Sequence, residues 1–191
     1  MLPITAPTVV IDVRARREKL LLLGSSAALA RVFGSLLVIP ERVLEVSQTP
    51  GIGTCLCLRP DQRLLLVEPP GGADLVERLR AEAPDDVHML EAGARFTELS
   101  IVGRDASALL NCGCSLDLRL SAFPVGSCAS TRVLQVPVIL LRRAIDHFDV
   151  FVERPLATHL IEWAASASDS LAVIASRGAS TDSLTEGRTA S

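Results

Sequence analysis

The chain has 191 residues, of which 49% are hydrophobic and 21% charged, and its formal net charge is −3. This weakly acidic sequence has no tyrosine and one tryptophan, so it lacks both the basic surface and the aromatic faces that nucleic-acid binding uses. We therefore expect no nucleic-acid partner. The mean hydropathy of +0.38 is high, so apolar residues must reach the surface, where a membrane or another protein would cover them.

A membrane span is not expected. The most apolar window, residues 20–40, contains Arg31 and two glycines and falls short of the roughly 18–20 uninterrupted apolar residues that cross a bilayer. The first residues lack the basic region and apolar stretch of a signal peptide. We expect a cytoplasmic protein with no membrane contact, whose apolar surplus faces a partner protein.

Strand and helix patterns alternate along the first half of the chain. β-branched residues predict a strand over 9–13, and Ser25 or Ser26 can cap a helix that ends at Phe33. Two strands joined by a tight turn and a helix ended by Pro84 follow, over residues 52–58, 63–67 and 73–83.

The second half repeats this order. The predicted elements are a strand pair over 87–91 and 95–102, a short helix over 103–111, and a hairpin of strands over 132–143 and 147–153. Residues 96–102 alternate as in a half-buried strand, and Pro137 predicts an edge strand because proline cannot donate to a ladder. Pro155 opens the last helix, with a predicted core stripe at Leu156, Leu160 and Trp163.

These elements predict an α+β fold of two small strand-helix-strand-strand-helix halves with antiparallel sheets. The halves span approximately residues 1–92 and 93–168 within a single domain, 1–168. From about residue 166 the composition shifts to Ser, Ala, Thr and Gly, which predicts a disordered C-terminal tail over 169–191.

The sequence offers no constellation of catalytic residues. The cysteine pairs Cys55/Cys57 and Cys112/Cys114 have one intervening residue each, which is closer than zinc ligands are usually spaced. The stretch from Gly113 to Asp117 lacks the final Gly of a hydrolase nucleophile elbow. We therefore predict no catalytic, cofactor or metal site in this chain. The cysteines leave open a thiol or metal protein, which would carry stoichiometric zinc or iron.

Residues 112–128 are the most distinctive stretch. Asp117 lies between two leucines, so its carboxylate can accept hydrogen bonds from backbone N–H groups while the leucines anchor the turn. Gly126 is predicted to supply a positive φ. This stretch resembles the signature of the gamma subunit of heterotetrameric sarcosine oxidase. The residues that carry the resemblance are Leu58–Leu66, Gly93–Arg95, Leu116–Leu118, Phe123, Gly126, Thr131-Arg132 and Phe148–Trp163.

The resemblance covers roughly residues 9–165 and implies a fold similar to the folate-binding aminomethyltransferases. It implies a non-catalytic subunit of a complex that oxidatively demethylates sarcosine or a related N-methyl amino acid, with one-carbon transfer to tetrahydrofolate. The alpha, beta and delta subunits would be its partners. FAD, FMN, NAD and tetrahydrofolate would lie in those partners and not in this chain. The family-signature or interface candidates are Arg95, Asp117, Phe123, Gly126 and Arg132.

Three positions depart from the family pattern. Arg63 stands where Trp is common, Pro137 replaces a usual polar residue, and Glu91 stands where Asp is frequent. The alternative hypothesis is a stand-alone folate-binding protein in one-carbon transfer or iron–sulfur maintenance. Such proteins often carry a Lys-Gly-Cys-aromatic-x-Gly-Gln stretch, which this sequence does not contain.

Overall fold

The computed structural model describes residues 8–14, 17–68, 72–82 and 86–186. Within these ranges the chain forms two five-stranded antiparallel sheets and four helices. The elements are β1 Val10–Val13, β2 Lys19–Leu23, α1 Ser26–Phe33, β3 Val46–Thr49, β4 Gly53–Arg59, β5 Gln62–Val67, α2 Gly72–Glu82, β6 His88–Glu91, β7 Phe96–Val102, α3 Ala106–Asn111, β8 Cys128–Val133, β9 Val136–Ala144, β10 His147–Glu153 and α4 Arg154–Glu186. The predicted α+β class with antiparallel sheets is confirmed.

The two sheets stack face to face, and helices cover their outer faces. The N-terminal sheet has the order β3-β4-β5-β2-β6, and the C-terminal sheet has the order β1-β7-β10-β9-β8. Helices α1 and α2 pack on the outer face of the N-terminal sheet, and α3 and α4 pack on that of the C-terminal sheet. A third apolar cluster, which includes Leu56, Leu64, Ile139 and Phe151, fills the space between the sheets.

Strands β2 to β6 form the N-terminal sheet, whereas β1 joins β7 to β10 in the C-terminal sheet. Strand β1 pairs with β7, Val10 opposite Val102, so the first strand of the chain belongs to the C-terminal sheet. The predicted pairing of residues 87–91 with 95–102 is wrong, because β6 pairs with β2 and β7 pairs with β1 and β10. The chain changes sheets at the turn between these strands, where the Ala92 N–H still donates to the Lys19 carbonyl at 2.7 Å.

Two strands of the N-terminal sheet were not predicted. Strand β2 reads Lys-Leu-Leu-Leu-Leu and its first four residues are buried, so it lacks the polar alternation of a one-sided strand. Strand β3 is a short polar edge strand. Strand β7, predicted to be half-buried, is covered on both faces, because Glu98 and Ser100 are 5% and 1% exposed.

The strand predicted over 132–143 is two strands. Leu134 and Gln135 both have positive φ, +50° and +66°, and they turn β8 back into β9, which is the geometry of a two-residue hairpin. Strand β9 lies between β8 and β10, so the predicted edge position is wrong. Pro137 is tolerated because β10 pairs with β9 only from Val138 onward, which leaves Pro137 with a neighbouring strand on one side.

Both predicted ends of helix α1 are confirmed, because the helix spans Ser26–Phe33. The Ser25 hydroxyl accepts from the Ala28 N–H at 3.1 Å, which confirms the cap.

In α4 the predicted stripe is displaced by one residue at its start: Leu156 is 37% exposed, whereas Ala157, Leu160 and Ala164 are buried.

Helix α4 continues beyond the predicted end of the domain. Its backbone is helical to Glu186, where the sequence predicts a disordered tail, and residues 187–191 lie outside the described part. Residues 166–177 contain neither Gly nor Pro, so nothing in the sequence interrupts the helix there. Within the described ranges, no helix is long and apolar enough to cross a membrane.

Candidate functional site

One buried arginine holds the distinctive loop between α3 and β8. The Arg142 side chain, from β9, is 3% exposed, and its guanidinium donates to backbone carbonyls on two segments. Arg142 Nη1 donates to the carbonyls of Leu118 and Phe123 at 2.7 and 2.9 Å, and Nη2 donates to the carbonyl of Ile145 at 2.7 Å. The loop 112–127 is therefore fastened to the sheet by a residue outside the loop.

Asp117 and Gly126 have the local roles that the sequence predicts. The Asp117 carboxylate accepts from the backbone N–H of Arg119 at 3.0 Å, and the guanidinium of Arg119 adds further hydrogen bonds. These bonds lower the pKa of Asp117 to about 2. Leu118 is buried and anchors the turn. Gly126 has a φ of +81°, a backbone conformation that residues with a Cβ rarely adopt.

Phe123 is a core residue. Its side chain is 1% exposed and belongs to the apolar cluster between the C-terminal sheet and its helices. Phe123 therefore supports the loop from within, and its side chain offers almost no surface to another chain.

Arg95 and Arg132 lie at a different place, beside a cavity of about 180 Å³ between the two sheets. Arg95 lines this cavity and forms an ion pair with Glu153 at 2.6 Å. Arg132 lies opposite Pro137, which also lines the cavity. Pro137 and Arg142 are five residues apart on β9, or about 17 Å along an extended strand. The five candidates therefore form two groups at opposite ends of the C-terminal sheet.

Two buried carboxylates lie between the sheets, one on β7 and one on β10. Glu98 on β7 accepts from Arg17 at 2.6 and 2.9 Å and pairs with the buried Lys19 at 3.3 Å. Because the ammonium and the carboxylate come from different sheets, this pair joins the two layers. Arg17 and Lys19 both bind the Glu98 carboxylate. A general base needs a carboxylate that is free to accept a proton from the substrate, so this arrangement does not suit that role.

Asp149 on β10 is the second buried carboxylate. It accepts from Arg143 Nε at 2.6 Å and lies 3.3 Å from His147 Nε2. Arg143 also donates to the Thr54 hydroxyl of the N-terminal sheet at 3.4 Å. The Glu98–Lys19 pair thus joins the sheets directly, whereas Asp149 pairs with Arg143 within the C-terminal sheet and Arg143 reaches the other sheet through Thr54.

Arg63 is the counterpart of Arg142 in the first half. It is fully buried on β5 and donates to the carbonyls of Pro40 and Arg59 at 2.8 and 2.6 Å and to the Ser26 hydroxyl at 2.6 Å. Arg63, at a position where Trp is common in the family, thus holds the loop after α1 through its hydrogen bond to the Pro40 carbonyl.

The cysteines are unpaired thiols. Burial raises the pKa of Cys55 and of Cys128 to about 12, and burial also raises the pKa of Cys57. Such thiols are poor nucleophiles and poor metal ligands because both roles need the thiolate. Cys112 is exposed. In the part of the chain that the structure describes, no group of three His, Cys, Asp or Glu side chains is arranged to hold a metal ion.

Sequence reasoning missed Arg63, Arg142 and the buried ion pairs. A usable signal was present for Arg142, because it shares the face of β9 with Val138 and Leu140, both of which are buried. A charged residue at a core-facing strand position must have partners. Which carbonyls it binds follows only from the loop conformation.

The comparisons with known proteins agree with this architecture. The family model described as "Sarcosine oxidase, gamma subunit family" matches residues 26–170. The sarcosine oxidase subunit gamma of Corynebacterium sp. (strain P-1) is 29% identical over 150 residues, which are 78% of this chain and 72% of that protein. The subunit gamma of an Arthrobacter species is 27% identical over 72% of this chain and 66% of its own length.

Two solved structures share the fold. A chain of the heterotetrameric sarcosine oxidase from Corynebacterium sp. U-96, in complex with pyrrole 2-carboxylate, matches 87% of each chain with a TM-score of 0.78 and 24% identity. The glycine cleavage system aminomethyltransferase T from Bartonella henselae matches 82% of this chain and 45% of its own, with a TM-score of 0.57 and 14% identity. The predicted similarity to the aminomethyltransferase fold is confirmed. Because the family model covers most of the sequence, this chain belongs to the sarcosine oxidase gamma subunit family.

Proposed function

We propose that this chain is the gamma subunit of a heterotetrameric sarcosine oxidase and serves it as a non-catalytic structural component. The observation that carries the proposal is the family match over residues 26–170. Several charged side chains that could support chemistry instead hold the fold together. Arg63 and Arg142 bind loop carbonyls, and Glu98 and Asp149 are in ion pairs.

The partners and cofactors belong to the same proposal. The chain would assemble with alpha, beta and delta subunits that carry FAD, FMN, NAD and tetrahydrofolate. The complex would oxidise sarcosine or a related N-methyl amino acid and pass the one-carbon unit to tetrahydrofolate. A cytoplasmic location is supported by five cysteines that form no disulfide, as expected where thiols stay reduced.

The cavity between the sheets gives little support to the folate-binding alternative. The cavity between the sheets measures about 180 Å³, whereas pockets for ligands of drug size measure about 300–1,000 Å³. Saturable binding of tetrahydrofolate to the isolated chain, measured by titration calorimetry, would nevertheless replace the proposal by that alternative.

The proposal is tested by assaying the isolated chain and its tagged, native assembly side by side. With sarcosine and a redox dye, we expect the assembly to reduce the dye and release formaldehyde, and the isolated chain to do neither. Sarcosine oxidation by the isolated chain would contradict a non-catalytic role. An active assembly whose turnover is unchanged after the chain is removed would contradict a structural role.

A further inference from the structure

The cavity between the sheets is partly open to solvent and is lined by seven apolar residues and by six polar or charged ones. Its walls include Leu21, Leu58, Phe96, Ile139 and Phe151, and its volume is about 180 Å³. An apolar cavity of about 150 Å³ can hold a benzene molecule. One phenyl or branched aliphatic side chain therefore matches the space.

The charge at the mouth favours an anionic neighbour. Arg59 and Arg95 both line the cavity, and Glu153 is the one acid among its described lining residues. Glu153 is already paired with Arg95, whereas Arg59 makes no ion pair within the described part of the chain. Arg132 adds a further positive charge, because it follows the lining residue Ser130 on the same face of β8.

A second recess continues this positive surface. It measures about 250 Å³ and shares Phe96 with the cavity. Its lining includes Arg14 and Arg154, and its one described acid is Glu98, which already binds Arg17 and Lys19. The surface on both sides of Phe96 thus carries an excess of positive charge.

We propose that this cavity is the docking site for a segment of a partner subunit that inserts one aromatic or branched aliphatic side chain and places an Asp or Glu carboxylate against Arg59. The proposal rests on the proposed function, because it names the contact by which the subunit binds its complex. Arginine beside a desolvated apolar anchor is a typical energetic centre of protein interfaces. The charge complementarity favours an acidic partner segment.

Two variants of the full chain test this proposal. Arg59→Glu reverses the charge at the mouth, and Ser130→Phe places a ring in the cavity from an exposed strand position. Arg78→Glu is the matched control, because Arg78 is exposed on α2 on the opposite side of the N-terminal sheet. Each tagged variant replaces the endogenous chain in its native cell, and its melting temperature reports whether it folds.

The readout is the molar ratio of recovered partner subunits to tagged chain, measured by quantitative mass spectrometry over a salt series. We expect wild type and Arg78→Glu to recover partners equally, and Arg59→Glu and Ser130→Phe to recover roughly tenfold less while still folded. Equal recovery by all four chains would overturn the cavity proposal and leave the proposed function intact. Loss of partners from the wild type as well would overturn the proposed function and this inference with it.

A small-molecule acid is the competing occupant. Sodium benzoate, which combines a ring with a carboxylate, is the probe for it. Under our proposal, benzoate competes with the partner subunits for the wild-type chain. A saturable rise in the melting temperature with benzoate, absent in Arg59→Glu and without effect on partner recovery, would show a metabolite site instead and would overturn the proposal.

Discussion

Arg142 Nη1 donates to the Phe123 carbonyl at 2.9 Å, and this contact joins the family signature to strand β9 of the C-terminal sheet. The same guanidinium lies 4.8 Å from the centre of the Phe148 ring, a distance at which a cation and an aromatic face attract each other. The signature loop is thus shaped by an arginine that comes later in the chain. Arg142 on β9 and Arg63 on β5 each lie on the helix-covered face of their sheet.

Arg142→Met is expected to lower the free energy of unfolding by about 3 kcal/mol or more, because several buried carbonyls lose their donor. Urea unfolding followed by circular dichroism measures this loss. Arg78→Met is the control and is expected to change the free energy by less than about 0.5 kcal/mol, since Arg78 is exposed. Equal effects of the two substitutions would mean that Arg142 does not hold the loop.

Arg63→Met is expected to destabilise by a similar amount, about 3 kcal/mol, since it removes donors from Pro40, Arg59 and Ser26. The two buried arginines share no hydrogen-bond partner, and both sheets lie between them. The loss in free energy of unfolding of the double variant, measured in urea, should therefore equal the sum of the two single losses within about 0.5 kcal/mol. A larger deviation would show that the two loops are coupled.

Gly126→Ala is expected to cost about 1–2 kcal/mol, because the φ of +81° is unfavourable for a residue with a Cβ. No atom lies within 4 Å of the position of the added methyl group, so the cost is conformational and not a clash. Gly126→Asn should cost less, since Asn tolerates this region. The comparison of the two variants by thermal unfolding checks this, and equal costs would contradict a backbone origin.

Asp117 makes stability depend on pH at the acid end. Its pKa is lowered to about 2 in the folded chain by hydrogen bonds from Arg119, while an unfolded Asp titrates near about 3.9. The stabilisation is therefore fully present above about pH 4 and is lost as the pH falls through about 2. Asp117→Asn should be less stable than wild type at pH 5, and the two urea midpoints should converge by pH 2. Parallel midpoints over this range would contradict the assignment.

Thiol reactivity separates the exposed Cys112 from cysteines buried in the core. Iodoacetamide at pH 8 should modify the exposed Cys112 first. Cys55, Cys57 and Cys128 should react only on unfolding, since burial raises each pKa. Mass spectrometry of peptides from native and urea-unfolded samples reads this out. Rapid native labelling of Cys55 or Cys128 would revive a chemical role for the thiols.

The sequence correctly predicted features that depend on residues close to one another in the chain. The Ser25 cap, the turn at Pro60-Asp61 and the positive φ of Gly126 each depend on one residue and its nearest neighbours. Strand β2 was not predicted, because four consecutive leucines show no alternation of apolar and polar residues. The alternation is missing because both faces of the strand are buried.

The remaining errors concern contacts between distant residues. The hairpin at Leu134-Gln135 lacks the Asn-Gly signal that usually marks two positive φ values. The transfer of β1 to the second sheet and the pairing of Lys19 with Glu98 across the sheets depend on how the halves stack. For the same reason the sequence named Arg95 and Arg132 but not the cavity beside which they lie.

A tagged pull-down of this chain from its native cell, with flavin absorbance read on the eluate, tests whether the chain works as a subunit. We expect a yellow complex in which the chain is accompanied in fixed proportion by larger subunits. A colourless, monomeric chain would contradict a subunit role.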